Sequence, residues 1–140
     1  MAKISSNPSQ VHEILEQLSK DGLLQHSRPS WSLFLSSLAA GLEIGFSILL
    51  MGVLFSMFEH RISDPAMHLL LSLSYPLGFL FVIIGREELF TEQTTIAVIP
   101  VLSSRKNFKS LMRLWGIVLS GNLLGCLIFS FIVSRLPVQM

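Results

Sequence analysis

Gly85-Arg86-Glu87-Glu88-Leu89-Phe90-Thr91-Glu92-Gln93 interrupts an apolar stretch that runs from His68 to Leu102. Tyr75-Pro76-Leu77-Gly78-Phe79-Leu80-Phe81-Val82-Ile83-Ile84 leads into it, and Thr94-Thr95-Ile96-Ala97-Val98-Ile99-Pro100-Val101-Leu102 follows. As helices, the upstream piece counted from His68 measures about 25 Å and the downstream piece about 13 Å. A hydrocarbon core is roughly 30 Å thick, so neither piece alone reaches comfortably across, whereas the two with their interruption do. Charged side chains and backbone released from its helix are costly at that depth. They persist only where protein or a water-filled cavity surrounds them. Transporters and channels build sites near the bilayer midplane from broken spans with polar residues at the break. The stretch therefore predicts a transmembrane span over 68–102, broken at 85–93, that lines a permeation pathway.

Composition points the same way. Of 140 residues, 51% are hydrophobic and only 14% charged, and the mean hydropathy of +0.63 lies well above that of an ordinary soluble domain. A formal charge of +1 gives no electrostatic reason to expect a nucleic-acid partner. Cys126, the single cysteine, lies in an apolar run and is read as a small buried residue, supporting neither a disulfide nor a metal site. No catalytic, cofactor-binding or metal-ligating residues are expected. Met1-Ala2-Lys3-Ile4-Ser5-Ser6-Asn7-Pro8 has no apolar h-region, so no cleavable signal peptide is expected either.

Residues 1–28 form a polar segment that carries an amphipathic helix. Asn7-Pro8 reads as an N-cap followed by proline at the first helical position, with Gln10 placed for a capping box. Val11, Ile14, Leu15 and Leu18 give one apolar stripe, and Gly22 reads as the residue that ends the helix. That helix packs beneath the membrane part or lies on the lipid surface. Residues 29–140 form the membrane domain, with spans over about 30–58, 68–102 and 115–133. Trp31 suits an interfacial anchor. Ser37, Gly41 and Gly45 place small residues on one face of the first span, and Gly121-Asn122-Leu123-Leu124-Gly125 repeats the device in the third. Two such faces argue for closely packed helices rather than single helices in lipid.

Lysine and arginine give the orientation. Lys3, Lys20 and Arg28 lie before the first span, and Arg105, Lys106, Lys109 and Arg113 lie between the second and third. The other side has Arg61 and Arg135. The bias predicts a cytoplasmic amino terminus and an external carboxyl terminus.

Three features together resemble the formate/nitrite transporter family. They are Gly85-x-x-Glu88-Leu89-Phe90-Thr91 in the break, an aromatic followed by Pro-Leu-Gly at Tyr75 to Gly78, and Gly121-Asn122-x-x-Gly125 with Trp115 before it. The resemblance covers roughly residues 10–135 and matches only the first of two inverted three-span repeats. It implies an all-α membrane protein of three transmembrane helices, the second broken at its middle. Such a chain corresponds to one half of a six-span, inverted-repeat, aquaporin-like channel. It further implies a bacterial-type inner membrane location, the lipid bilayer and a small-anion substrate as partners, a homo-oligomer (a pentamer in that family), and a second three-span half. The implied function is transport of small monovalent anions such as formate and nitrite. The alternative is a truncated, non-conducting membrane fragment with an assembly or regulatory role.

Carried over by motif, Leu89 and Phe90 would form an apolar constriction, with Thr91 beside them as a hydroxyl donor and Tyr75 at an outer constriction. Each also has a purely structural reading: Leu89 and Phe90 as core packing, Thr91 as the N-cap of the short helix, and Tyr75 as an aromatic packed at a proline kink. Asn122 reads as an interhelical hydrogen-bonding group that ties down the freed backbone of the break. Glu43, in the body of the first span, departs from the neutral residue usual in the family, and Arg86 and Glu87 add charge beside Glu88. The economical expectation is that Arg86 pairs with Glu43 or a neighbouring carboxylate. An enzyme reading, on Glu87-Glu88 as in intramembrane prenyl-type endopeptidases, fails. Glu92 stands where an arginine would be needed, and no histidine follows His68.

Overall fold

Long runs of leucine, isoleucine, valine, phenylalanine and methionine satisfy their backbone hydrogen bonds internally only as helices once water is excluded. The computed structural model describes residues 8–135, and among these every regular element is helical. In order they are α1 (Pro8–Ser27), α2 (Ser30–Phe58), α3 (Asp64–Ser74), α4 (Leu77–Gly85), α5 (Phe90–Leu102) and α6 (Phe108–Arg135). Three stretches are long and apolar enough to cross a membrane: α2, α3 continued by α4, and α6.

The middle one differs from expectation. Its helix begins at Asp64 rather than near His68, with Pro65 in the first turn, and α3 with α4 makes 22 residues, about 33 Å. This limb is long enough by itself, contrary to the length argument from sequence. Pro76 kinks it without stopping it: the Tyr75 N–H still reaches the Leu71 carbonyl at 3.0 Å, and Leu80 N–H reaches Pro76 at 2.9 Å. Across the kink, the Gly78 N–H donates to Ser47 Oγ on α2 at 2.7 Å. The third apolar helix is also longer than expected, because Phe108 to Leu114 continue it at its amino end.

The centre of the fold is the parallel crossing of α2 and α6. A Cβ on Gly41 would overlap the Asn122 carbonyl, one on Gly121 the Ser37 hydroxyl, and one on Gly125 the Leu38 carbonyl. Backbones meet there without intervening side chains, which is how membrane helices gain packing when lipid supplies no hydrophobic drive. Two buried clusters flank the crossing: Leu33, Ala97, Leu111, Leu114 and Val118 on one side, and Ala40, Val82 and Leu89 on the other.

The amino-terminal helix corrects two expectations. Gly22 does not end α1, which continues to Ser27. It is instead a point of contact, where a Cβ would stand 2.5 Å from the Ile96 carbonyl and 2.7 Å from Pro100 Cγ on α5. The docked face carries Ser19, Gly22 and His26, while Val11, Ile14 and Leu15 of the apolar stripe are exposed. Asn7, the expected cap, lies outside the described residues. Cys126 is exposed rather than buried, because it faces an open groove of about 600 Å³ between the later halves of α2 and α6.

Glycine substitutions separate contact from conformation. Gly41→Ala and Gly125→Ala should each lower stability by about 1–3 kcal/mol through overpacking. Gly52→Ala, which meets nothing within 4 Å, should leave it unchanged or raise it by up to about 1 kcal/mol. Unfolding of the purified variants in detergent measures all three.

Candidate functional site

The chain leaves helix after Gly85 and re-enters it at Phe90, so the interruption is Arg86 to Leu89, shorter than the 85–93 expected from sequence. Gly85 still belongs to α4, and Phe90, Thr91 and Glu92 form the first turn of α5. Arg86, not Gly85, turns the chain, with φ 54° and ψ 40° in the left-handed region. Its N–H bonds to the Ile83 carbonyl at 3.3 Å and that of Glu87 to Val82 at 3.0 Å. This is the helix end that glycine usually provides. An arginine there costs about 1–2 kcal/mol, a strain that persists only where the surroundings hold it.

Side chains from three other helices hold it. Asn122 of α6, 9% exposed, accepts the Phe90 N–H at 2.9 Å and donates to the Ser37 carbonyl at 2.7 Å and the Glu88 carbonyl at 3.0 Å. One carboxamide thus ties α2 and α6 to the end of the break that leads into α5. Ser36 of α2 donates to Glu87 Oε2 at 2.6 Å and accepts the Glu88 N–H at 3.2 Å. Glu88, 4% exposed, is met from α1: Gln25 donates to Oε1 at 3.1 Å, and the Arg28 guanidinium forms an ion pair with the same oxygen. A carboxylate that deep stays ionised at acceptable cost only with such a partner.

The docking of α1 is fixed also by His26, which lies between Gln25 and Arg28 and is 7% exposed. Its Nε2 lies 3.0 Å from the Ala97 carbonyl and its Nδ1 2.8 Å from Ser110 Oγ. A carbonyl only accepts, so Nε2 carries the proton, and in the neutral ring Nδ1 accepts from the serine.

The residues singled out from sequence fall in different places. Leu89 is buried against Ala40, Val82 and Ile44. Phe90 is half-buried, edge-on to Trp115 with ring centroids 6.2 Å apart. Thr91 is exposed and is not the N-cap of α5; Leu89 holds that position with no side-chain cap, and Asn122 serves the Phe90 N–H instead. Tyr75 is 71% exposed at the end of α3, just before the Pro76 kink. Glu43 approaches Gly85: its Oε1 would lie 3.5 Å from a Cβ built there. The expected Arg86–Glu43 ion pair is absent, since the ion pairs among the described residues are Arg28–Glu88 and Lys20–Glu16. The left-handed backbone at Arg86 places its side chain, exposed, at a cleft of about 240 Å³ that it lines with Gln25, Glu87, Glu88 and Glu92. Arg28, Gln25, Ser36 and His26 were not singled out from sequence. Their partners lie 51 to 84 residues away, and no local pattern marks such a pairing.

Two tests follow from this geometry. Asn122→Ala should cost about 3 kcal/mol, three hydrogen bonds at about 1 kcal/mol each. Asn122→Asp should cost at least as much, because a carboxylate cannot donate to the two carbonyls. Arg28→Gln should cost about 1–3 kcal/mol by stranding the Glu88 carboxylate, less than a fully buried pair because Arg28 is one-third exposed. Arg28→Gln with Glu88→Gln should recover most of that loss, as a double-mutant cycle in detergent would read.

Comparison with known proteins gives the family. The family model described as formate/nitrite transporter matches residues 12–139. The chain is also similar to the inner membrane protein YfdC of Escherichia coli, with 38% identity over 134 residues that cover 94% of this chain and 42% of that protein. The chain therefore spans less than half the length of this relative. An integral membrane location follows from the family and from the three apolar stretches. By these matches the chain is a transporter-family protein rather than an enzyme, and it belongs to the formate/nitrite transporter family.

Proposed function

We propose that this chain supplies one half of a transmembrane pathway for small monovalent anions of the formate or nitrite kind. The second span of that half consists of α3 and α4, the break at Arg86 to Leu89, and α5. The other wall comes from a second, inverted three-span half, giving an aquaporin-like protomer that assembles into a homo-oligomer. One observation carries the reading. In a chain of this family, four non-helical residues with three charges are held between α2 and α6 by Asn122 and Ser36. Irregular backbone within a membrane protein is tolerated where it lines a pathway. In this reading Leu89 and Phe90 form the constriction at the entry to α5, Thr91 offers its hydroxyl to the passing anion, and Tyr75 stands near the other mouth. The first turn of α5 adds a positive dipole end, which attracts an anion without binding it too tightly for release.

Repulsion from the carboxylates is the obvious objection. The Arg28–Glu88 pair answers part of it, because it removes the net charge of the most buried acid. Orientation rests on the seven cationic residues of the amino-terminal segment, the second connection and the start of α6 against Arg61 and Arg135. The packing of α1 along α5 supports it, since Gly22 meets Pro100 close to the Ser103–Arg105 turn. Compartment reporters fused at Arg61 and at Lys106 should read opposite sides of the membrane; the same side from both would refute this topology.

Flux in proteoliposomes tests the function. The 140-residue chain alone should not conduct formate or nitrite, while the same chain joined to the remaining length of its Escherichia coli relative should. In the joined protein, Leu89→Ala or Thr91→Ala should change the flux by about tenfold, the effect of roughly 1.4 kcal/mol on a barrier. Ser103→Ala, beyond α5, should change it little. Selective flux from the chain alone would overturn the half-pathway reading.

A further inference from the structure

Glu43 is the fourteenth of the 29 residues of α2, which places it at the middle of a helix long enough to cross the bilayer. Its carboxyl group turns inward to the α4 packing face, beside the Gly85 backbone. Oε2 is buried in this otherwise half-buried residue and has no hydrogen-bond partner among the described residues. No cation among the described residues forms an ion pair with it: Arg28 is engaged by Glu88, and the other such pair is Lys20–Glu16. The charged group that faces Glu43 from the neighbouring segment is another carboxylate, Glu87, whose Cγ lies 3.2 Å from the same Gly85 Cβ position that Glu43 Oε1 approaches to 3.5 Å. Glu87 itself is held by the Ser36 hydroxyl and remains half-buried.

An ionised carboxylate at such a place faces three penalties at once. It loses water, it lacks a counter-charge, and it meets a like charge across a gap narrowed by a glycine. A group in that position neutralises itself by taking up a proton rather than bear those costs. Of two carboxyl groups placed close together, one holds its proton more firmly. Ser36 donates to Glu87, whereas among the described residues nothing donates to Glu43 Oε2, which leaves Glu43 the carboxyl with fewer partners.

We propose that Glu43 is a proton-binding site within the membrane, held as the neutral carboxylic acid at neutral pH, beside the Glu87 side chain. The site lies on the α2 face that also carries Ser36 and Ser47, the residues that satisfy backbone N–H groups of Glu88 and Gly78. A proton there removes a second negative charge from the neighbourhood of the break, after the Arg28 pair has removed the first. It also gives α2 a group able to release that proton when a cation approaches. The inference rests on α2 crossing the bilayer, not on the substrate proposed above, and its test needs no transport.

Infrared difference spectroscopy between the wild-type chain and Glu43→Gln, both in lipid vesicles at neutral pH, reads the protonation state directly. The expected result is loss of a protonated-acid C=O stretch in the variant. Loss of an ionised carboxylate stretch instead would overturn the proposal. A second measurement needs no variant. Dicyclohexylcarbodiimide, an apolar reagent selective for protonated carboxyls in low-polarity surroundings, should label Glu43 of the wild-type chain, as located by peptide mass mapping. Labelling should fall as the pH is raised. Absence of an adduct on Glu43 at neutral pH would likewise overturn it.

Discussion

A buried backbone segment outside any helix needs partners for its N–H and C=O groups, and here one carboxamide supplies them where the chain re-enters helix. Asn122 accepts from Phe90 and donates to Glu88 and to Ser37, so the break, α2 and α6 share a single fixed point. Asparagine is suited to this because it offers both donor and acceptor capacity on one planar group. It reaches the break because Gly121 before it lets α6 approach the Ser37 turn of α2 without a side chain between. Close helix packing and polar satisfaction are therefore one constraint. If the helices moved apart by the width of a methyl group, the hydrogen bonds would lengthen and the break would lose its support.

Charge is handled by distance in sequence rather than by proximity. Glu88 follows Arg86 by two residues, yet its partner is Arg28 from the end of α1. The left-handed turn at Arg86 points the local cation to the cleft and the acid to the interior. The amino-terminal helix is thereby part of the membrane domain's electrostatics, pinned by His26 and Gly22 along α5 and by Gln25 and Arg28 at the break. Removing α1 would expose a buried acid as well as an apolar face.

The later half of α2 has a different character. Beyond Gly45 it separates from α6 around an open apolar groove, and Gly52 meets nothing among the described residues. Small residues thus serve two purposes within one helix. Those at Ser37, Gly41 and Gly45 are accounted for by α6, whereas the one at Gly52 is not accounted for by any contact among the described residues.

The sequence by itself determined that this is a helical membrane protein with three apolar stretches able to cross a bilayer, because composition and run length suffice for that. It also determined the family, through Leu89-Phe90-Thr91 and Gly121-Asn122 in their order along the chain. The glycine pairs pointed to close packing, since their lack of a side chain is a property of the residues themselves. Pairing was decided by the tertiary structure. That Arg86 leaves Glu43 alone, that Arg28 crosses 60 residues to Glu88, and that Gly22 is a contact rather than a stop all depend on helix placement. The exposed Val11, Ile14 and Leu15 depend on it too, because periodicity names an apolar face but not the face that finds a partner. Local rules fix what a segment can form. Which groups meet is set by the docking of distant segments, where a single left-handed residue or a missing Cβ redirects every neighbouring side chain.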